Sequence, residues 1–594
     1  MPFAAVNLDG VTTMSGFLLV LSIMTPVVGA LVAFAAGGRN VRRVAFATLP
    51  LGFAVAAAIA LALRQGGPLV YLLGGWSPPL GVALRADGLS AVMMLTTAVV
   101  VCAVALFAGT DFQVPAAEVE TRAPFAFWIL LLAVWAALNT VFVAGDLFTL
   151  YVALELLTFA AMPLVCLDGR GETFQAALRY LVFALLGSIL YLVGTGLIYG
   201  VYGTLDISLL SQRMQAEPAT LIAAALMTVG LLAKTALFPL HLWLPPAHAG
   251  APAAGSAVLS ALVVKGSFFI VIRIWFDVMP ALPGVAAAQL LGGLGAAAIV
   301  VGSIVALRQE RLKLLIAYST LAQIGYLFLM FPLAFRPDTG RIERGGALAG
   351  GLLQAISHAT AKAAMFMAAG LIYAALGRDR IAGLGGIARA APMSVIAFAI
   401  AGLALIGVPP SGANLAKELL LQAASETGQW WWGLVIQAGG FFTSAYLWLV
   451  LIHAFAPADE PVELRATAAS GREAATLVLA LCSLLLGLFP WGPYLPLPPE
   501  ASASSLSLEA LPKALLPIAG GAVLAILLGR WSDRLVSLSY GKTTAALVGP
   551  VRQAALALGG LVERIDGGLR QWPAAGLSLL TLALLFGAAM LAAA

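Results

Sequence analysis

Long apolar runs separated by short polar links dominate this chain. Runs of about 20 apolar residues, the length that crosses a hydrocarbon core, recur about sixteen times. They extend from 16–36 near the start to 573–593 near the end. The pattern predicts an all-α polytopic membrane protein. Two runs, 346–376 and 392–424, exceed one crossing and are expected to be interrupted. Between early runs, PLVYLLGGWSPPLGVALR at 68–85 carries a proline-centred turn and predicts an external hairpin or loop. Between the last two runs, Val551, Ala555, Leu558, Val562, Ile565 and Leu569 recur every three or four residues. Arg552, Glu563, Arg564, Asp566 and Arg570 lie mostly off that face. This predicts an amphipathic helix along the cytoplasmic interface or against neighbouring subunits. A solvated linker with chance periodicity is the plainer alternative.

The polar residues inside the runs carry the chemistry. From Lys234 to Lys265 an apolar run leads into a lysine, Pro239, Pro245, Pro246 and Pro252 break the helix, and a second run ends in another lysine. An amine at mid-bilayer costs about 2.5–3.5 kcal/mol on insertion scales, so such groups usually face a polar interior on an ion path. Freed backbone groups persist at that depth only where protein or a wet cavity satisfies them. Glu155 lies in another run, and Lys234 is its natural partner. A pair that forms and breaks would load and release a proton, whereas a static ion pair would only hold two helices together.

Lys265 has no carboxylate near it in sequence and suits a relay. Arg273, eight residues on, either joins that path or snorkels to the interface. His358 and Lys362 are four apart and share a helical face. The histidine is either a relay or a packed, hydrogen-bonded side chain. His241 and His248 flank the proline break as candidates for a path mouth, and His453 lies near a span end. Lys417 and Glu418 follow GVPPSGAN, a second proline break. NLAK at 414–417 echoes LLAK at 231–234, and a lysine beside a broken helix in each half is the pointer of a transporter built from repeats.

Composition and charge agree. Of 594 residues, 61% are hydrophobic and 10% charged, where soluble domains carry about 25% charged. The net charge of +5 reflects basic loops and does not argue for nucleic acid. Placing the N-terminus outside puts most Lys and Arg on the cytoplasmic side. Only Arg64, Arg85, Arg213, Arg336, Arg341, Arg344 and Lys513 fall on the other face. With an even span count, both termini then lie on the external side of a bacterial-type cell (inner) membrane. The first residues carry no basic n-region, so the first run reads as a retained span. Cys102, Cys166 and Cys482 stand singly within apolar runs, which offers no disulfide framework, metal site or cluster site. GLGGIARA at 383–390 lies outside any strand–helix unit, so no cofactor is expected.

Taken together, DLFTLYVALELLTFA, KTALFPLHLWLPPAHAGAP, SALVVKGSFFIVIRIW, RLKLLIAYSTLAQIGYL, SHATAKAAMF and GVPPSGANLAKELL resemble, in order and spacing, the antiporter-like proton-channel subunits. These subunits are shared by respiratory complex I, Mrp-type sodium/proton antiporters and membrane-bound hydrogenases. The resemblance covers roughly 124–455. It implies two inverted five-helix repeats with broken helices, at 124–278 and 279–455. N-terminal spans at 1–123 precede them, and C-terminal spans with the amphipathic helix at 456–594 follow. It also implies a mid-membrane proton path through the Glu155–Lys234 pair, the central Lys265, His358, Lys362 and the terminal Lys417 beside Glu418. GVPPSGAN lacks the bulky aromatic of the commoner PPxSGFxxK pattern, so gating there is expected to differ. The amphipathic segment is similar to the lateral helix of the longest members but shorter, at most about 60 Å. It reaches one neighbour or only its own subunit.

The expected function is a proton-translocating subunit of a multisubunit membrane complex, with exchange of Na+ for H+ left open. Its partners would be other membrane subunits and the lipid bilayer. The alternatives are a stand-alone secondary transporter and a membrane partner in an inorganic-carbon uptake complex. Whether the chain counts as part of a redox-driven translocase is undecided by sequence.

Overall fold

A computed structural model of the chain describes residues 12–115, 118–282, 284–336, 339–458, 465, 470–498, 510–528 and 542–592. Among these, 14 helices are long and apolar enough to cross a membrane, and Pro392–Ile406 and Leu515–Ala525 are shorter apolar helices. Together they account for the expected spans. Arg530 and Arg534 of the expected cytoplasmic set lie outside the described residues.

Every backbone group at membrane depth must be bonded internally, which is why the long apolar runs are helical. Close helix crossings are made at small residues. A Cβ on Gly230 would stand 2.3 Å from the Gly187 carbonyl oxygen, and one on Gly325 would stand 2.3 Å from that of Gly295.

Two breaks interrupt this scheme, and they share one local geometry. Helix Pro218–Thr235 ends with Ala236 at φ 58°, and helix Pro392–Ile406 ends with Gly407 at φ 89°. At the first, Leu237 N–H reaches Leu232 O (3.1 Å) and Ala236 N–H reaches Ala233 O (3.3 Å). At the second, Val408 N–H reaches Leu403 O and Gly407 N–H reaches Ala404 O, both at 3.2 Å. Each is a left-handed helix stop that satisfies two terminal carbonyls, and the prolines that follow prevent the helix from resuming. After the first break come the short helix Leu244–Gly250 and the span Ala253–Val278. That span contains two π-helical stretches, Leu259–Val263 and Arg273–Val278. After the second, Ser411 caps helix Gly412–Glu426.

The run 392–424 is therefore interrupted as expected, but 346–376 is not. Gly346–Leu376 is one continuous helix of 31 residues. No proline falls within it, and its glycines serve close packing: a Cβ on Gly370 would stand 2.4 Å from that of Ala253. The 68–85 segment forms the expected hairpin, with Leu69 opposite Ala86 and Leu72 opposite Ala83.

The C-terminal part wraps its own chain. Helix Ala510–Leu528 packs on Trp430–Phe455, where Trp448 donates to Ile518 O at 3.0 Å. Helix Lys542–Leu569 has 28 residues, about 42 Å of length, and crosses Val285–Arg308. There Glu563 pairs with Arg308 at 2.7 Å. Helix Trp572–Leu591 then packs against Pro218–Thr235. The amphipathic helix thus ties together elements from both halves of one chain.

Candidate functional site

Helix Leu147–Ala161 is started by Asp146, whose carboxylate accepts from Thr149 N–H at 2.8 Å. It carries Glu155 to face the end of Pro218–Thr235. Lys234 Nζ donates to Glu155 Oε1 (3.1 Å), Thr158 Oγ1 (2.8 Å) and Leu154 O (3.4 Å). Ser188 donates to the same Glu155 oxygen. Lys234 is buried, and Glu155 keeps 15% of its side-chain exposure. A small cavity beside Lys234 is lined by Thr158, Tyr180, Val263 and Ser267. Next to it, Thr235 donates to Ser267 Oγ at 2.9 Å, which leads toward the following span.

Lys265 follows the first π-helical stretch. Its Nζ turns back to Ser260 O at 2.6 Å and bonds His358 Nδ1 on the long helix Gly346–Leu376. Lys265 stands five residues beyond Ser260, the reach of a π turn, so its amine returns to a carbonyl inside that stretch. One turn along, Lys362 bonds Ser319 Oγ and lies 5.8 Å from the Tyr446 ring. At the second break, Lys417 donates to Ile406 O at 2.6 Å, the carbonyl left free where the helix stops. It stands 5.6 Å from the Tyr326 ring. Glu418 accepts from Asn414 Nδ2 at 3.0 Å.

Four buried or half-buried amines thus lie on facing helices. Lys265, Lys362 and Lys417 are bonded to carbonyls, a hydroxyl and an imidazole. Neutral partners of this kind hold an amine in place without fixing its charge, so a proton can reside on it transiently.

The remaining candidates sit elsewhere. Both ring nitrogens of the buried His248 lack a protein partner, and its ring stacks on Phe366 at 4.8 Å. His453 bonds Leu449 O at 2.8 Å within its own helix. Arg273 does not snorkel. Its guanidinium is clamped by Asp87 (2.6 and 2.7 Å), Asp277 (2.6 Å) and Ser90 Oγ (2.9 Å). Asp87, just before its helix, is pushed up by burial, yet the Arg273 guanidinium holds it well below the usual carboxylate range.

His241 is fully buried, with Nε2 at 2.7 Å from Asp566 Oδ1. Asp566 also accepts from Tyr318 (2.7 Å) and from Arg570 Nε (2.9 Å). The sequence sets Asp566 among charged residues that lie mostly off the apolar face of the amphipathic helix. In the structure its carboxylate is wholly buried and plugs the first break. Burial pushes Asp566 up, but the hydrogen bond and charge of His241 and the charge of Arg570 hold it below its ordinary range. Sequence reasoning also passes over Ser188, Ser319, Gln323, Gln354 and Tyr446. The only signal is that polar side chains at such depth need partners.

Residues 144–443 match the family model described as NADH:quinone oxidoreductase/Mrp antiporter, TM. The chain is 33% identical over 451 residues to NADH-quinone oxidoreductase subunit N of Desulforudis audaxviator, covering 73% of this chain and 87% of that one. It is 29% identical to a Na(+)/H(+) antiporter subunit of Alkalihalophilus pseudofirmus, covering 79% of this chain and 93% of that one. Its fold is similar to a chain of the Mrp complex from Dietzia sp., with TM-score 0.69 and 23% identity, covering 92% of this chain and 100% of that one. It is also similar to a chain of respiratory complex I from Thermus thermophilus, with TM-score 0.62 and 26% identity, covering 80% and 97%.

Proposed function

Because the chain belongs to the NADH:quinone oxidoreductase/Mrp antiporter family, we propose that protons cross it along one buried file of residues. The file runs from Glu155 and Lys234 through Lys265, His358 and Lys362 to Lys417 and Glu418. The two halves, 124–278 and 279–455, each contribute a broken helix with a lysine beside the break. His241 and His248 belong to a mouth of the path, and both termini lie outside. The chain works among other membrane subunits of a larger complex, which supply the driving energy.

The observation that carries this reading is the series of buried amines bonded chiefly to neutral groups. A purely structural ion pair would have a fixed counter-charge for each. A stand-alone carrier of an organic solute would need a compact mixed pocket, whereas these groups are strung out along the bundle.

The test is proton flux in proteoliposomes holding the assembled complex. Lys234→Ala and Glu155→Ala should each abolish flux while assembly persists, and Lys417→Ala should impair release while loading continues. Wild-type flux in the Lys234 and Glu155 variants would reduce the pair to architecture. Varying sodium at fixed pH decides between proton movement alone and sodium/proton exchange. A sodium-dependent flux would favour the exchange named in the Na(+)/H(+) antiporter relatives.

A further inference from the structure

The stretch between Lys362 and Lys417 is bridged by uncharged side chains on facing helices. On Leu312–Phe328, Ser319, Gln323 and Tyr326 recur at helical spacing and share a face. Ser319 meets Lys362 at one end, and the Tyr326 ring meets Lys417 at the other. On Trp430–Phe455, Tyr446 lies by Lys362, and a Cβ on Gly440 would stand 3.4 Å from Lys417 Nζ. Thr443 falls between them, and Gln323 occupies the middle of the bridge.

The hydrogen bonds fix how its amide points. Thr443 Oγ1 donates to Gly439 O at 2.8 Å, so toward Gln323 it acts as acceptor. Gln323 Nε2 donates to it at 3.0 Å and to the Tyr446 hydroxyl at 3.2 Å. Gln323 Oε1 therefore faces Gln354 and accepts from its Nε2 at 2.8 Å. That leaves Gln354 Oε1 turned away, fully buried, with no protein donor. One turn along the same helix, Ser357 Oγ and His358 Nε2 also lack a protein partner. Three such atoms on one helical turn mark a place where ordered water completes the hydrogen bonding, because buried polar atoms are rarely left unbonded.

We infer that Gln354, held in orientation by Gln323, positions the water through which a proton passes between Lys362 and Lys417. The inference rests on the proton path proposed above and supplies its missing link. The amide does not itself take up the proton. Lys362 gives one N–H proton to the water file, an O–H bond at the far end breaks, and Lys417 gains an N–H bond. Nothing is oxidised or reduced. Gln354 Oε1 accepts a hydrogen bond from the water and so keeps the water's own lone pair aimed at the incoming proton.

A packing role and a water-holding role make opposite predictions. Gln354→Met keeps the length and removes the unbonded carbonyl, so packing alone would tolerate it. Gln354→Glu, as the neutral acid, still donates to Gln323 and keeps a free carbonyl. In the assembled complex under an imposed potassium diffusion potential, Gln354→Met should retain its thermal stability and lose at least about tenfold in proton flux. Gln354→Glu should restore most of that flux. Thr443→Val, which removes the group orienting Gln323, carries the same expectation if the methionine variant fails to assemble. Wild-type flux in Gln354→Met, or in Thr443→Val where that stands in, would overturn the inference. So would failure of Gln354→Glu to restore flux. If Lys362→Met and Lys417→Met are silent while Gln354→Met pumps, only the link falls. If those lysine variants also pump normally, the path itself falls.

Discussion

Replacing Glu155 by glutamine removes a charge and almost no volume, so it isolates the electrostatic part of the Lys234 site. The ammonium would keep its bonds to Thr158 and Leu154 O and lose its counter-charge at 3.1 Å. Breaking a buried ion pair from one side costs about 3–5 kcal/mol, because the remaining charge is left uncompensated. A transfer step that passes through the charged lysine should slow by roughly 150- to 5,000-fold, at 1.36 kcal/mol per factor of ten. Glu155 retains some exposure and Ser188 still offers a hydroxyl, which sets the expectation at the lower end, about 150-fold. The assay is dye-reported proton flux in proteoliposomes, normalised to assembled complex by native gel. Glu155→Asp should fall between wild type and glutamine. Flux within about threefold of wild type in the glutamine variant, at equal assembly, would refute the reasoning.

Three further outcomes are expected. Gly230→Val should prevent stable folding, since its Cβ would stand 2.3 Å from a backbone oxygen that cannot move aside. Overpacking of this kind costs about 1–3 kcal/mol or more, read as lost monodispersity in detergent. Asp566→Ala should loosen helix Lys542–Leu569 by unbonding His241 and Tyr318, and amide exchange over 549–569 should accelerate strongly; unchanged exchange would mean the Arg308–Glu563 pair alone docks the helix. Asp87 sits below its ordinary range when folded, so its contribution is complete above the unfolded value and is lost as pH falls through the folded one. The Tm gap between wild type and Asp87→Asn should therefore hold from neutral pH to about pH 5 and close only in stronger acid.

The two breaks illustrate how far local signals reach. Proline after an apolar run, with a lysine beside the break (before it at Lys234, after it at Lys417), is enough to locate both, because proline lacks the donor that a helix needs. Length alone misleads at 346–376. A run longer than one crossing need not break when close packing with its neighbours continues along it, and no residue within it stops a helix. His241 stands out as a histidine beside a break, yet its partner cannot be read from the chain. Asp566 lies 325 positions away on a helix whose acidic residues lie mostly off its apolar face.

By itself the sequence determined the lipid-embedded bundle, its broken helices and the titratable groups within it. Each of these carries a steep local penalty in a medium without water, and steep penalties leave a mark on the residue order. Only the tertiary structure decided which amine meets which partner, where the C-terminal helix docks, and that Gln323 and Gln354 bond each other on facing helices. Glutamine in an apolar helix is inexpensive enough to pass unnoticed, and its meaning depends wholly on what the neighbouring helices bring to it.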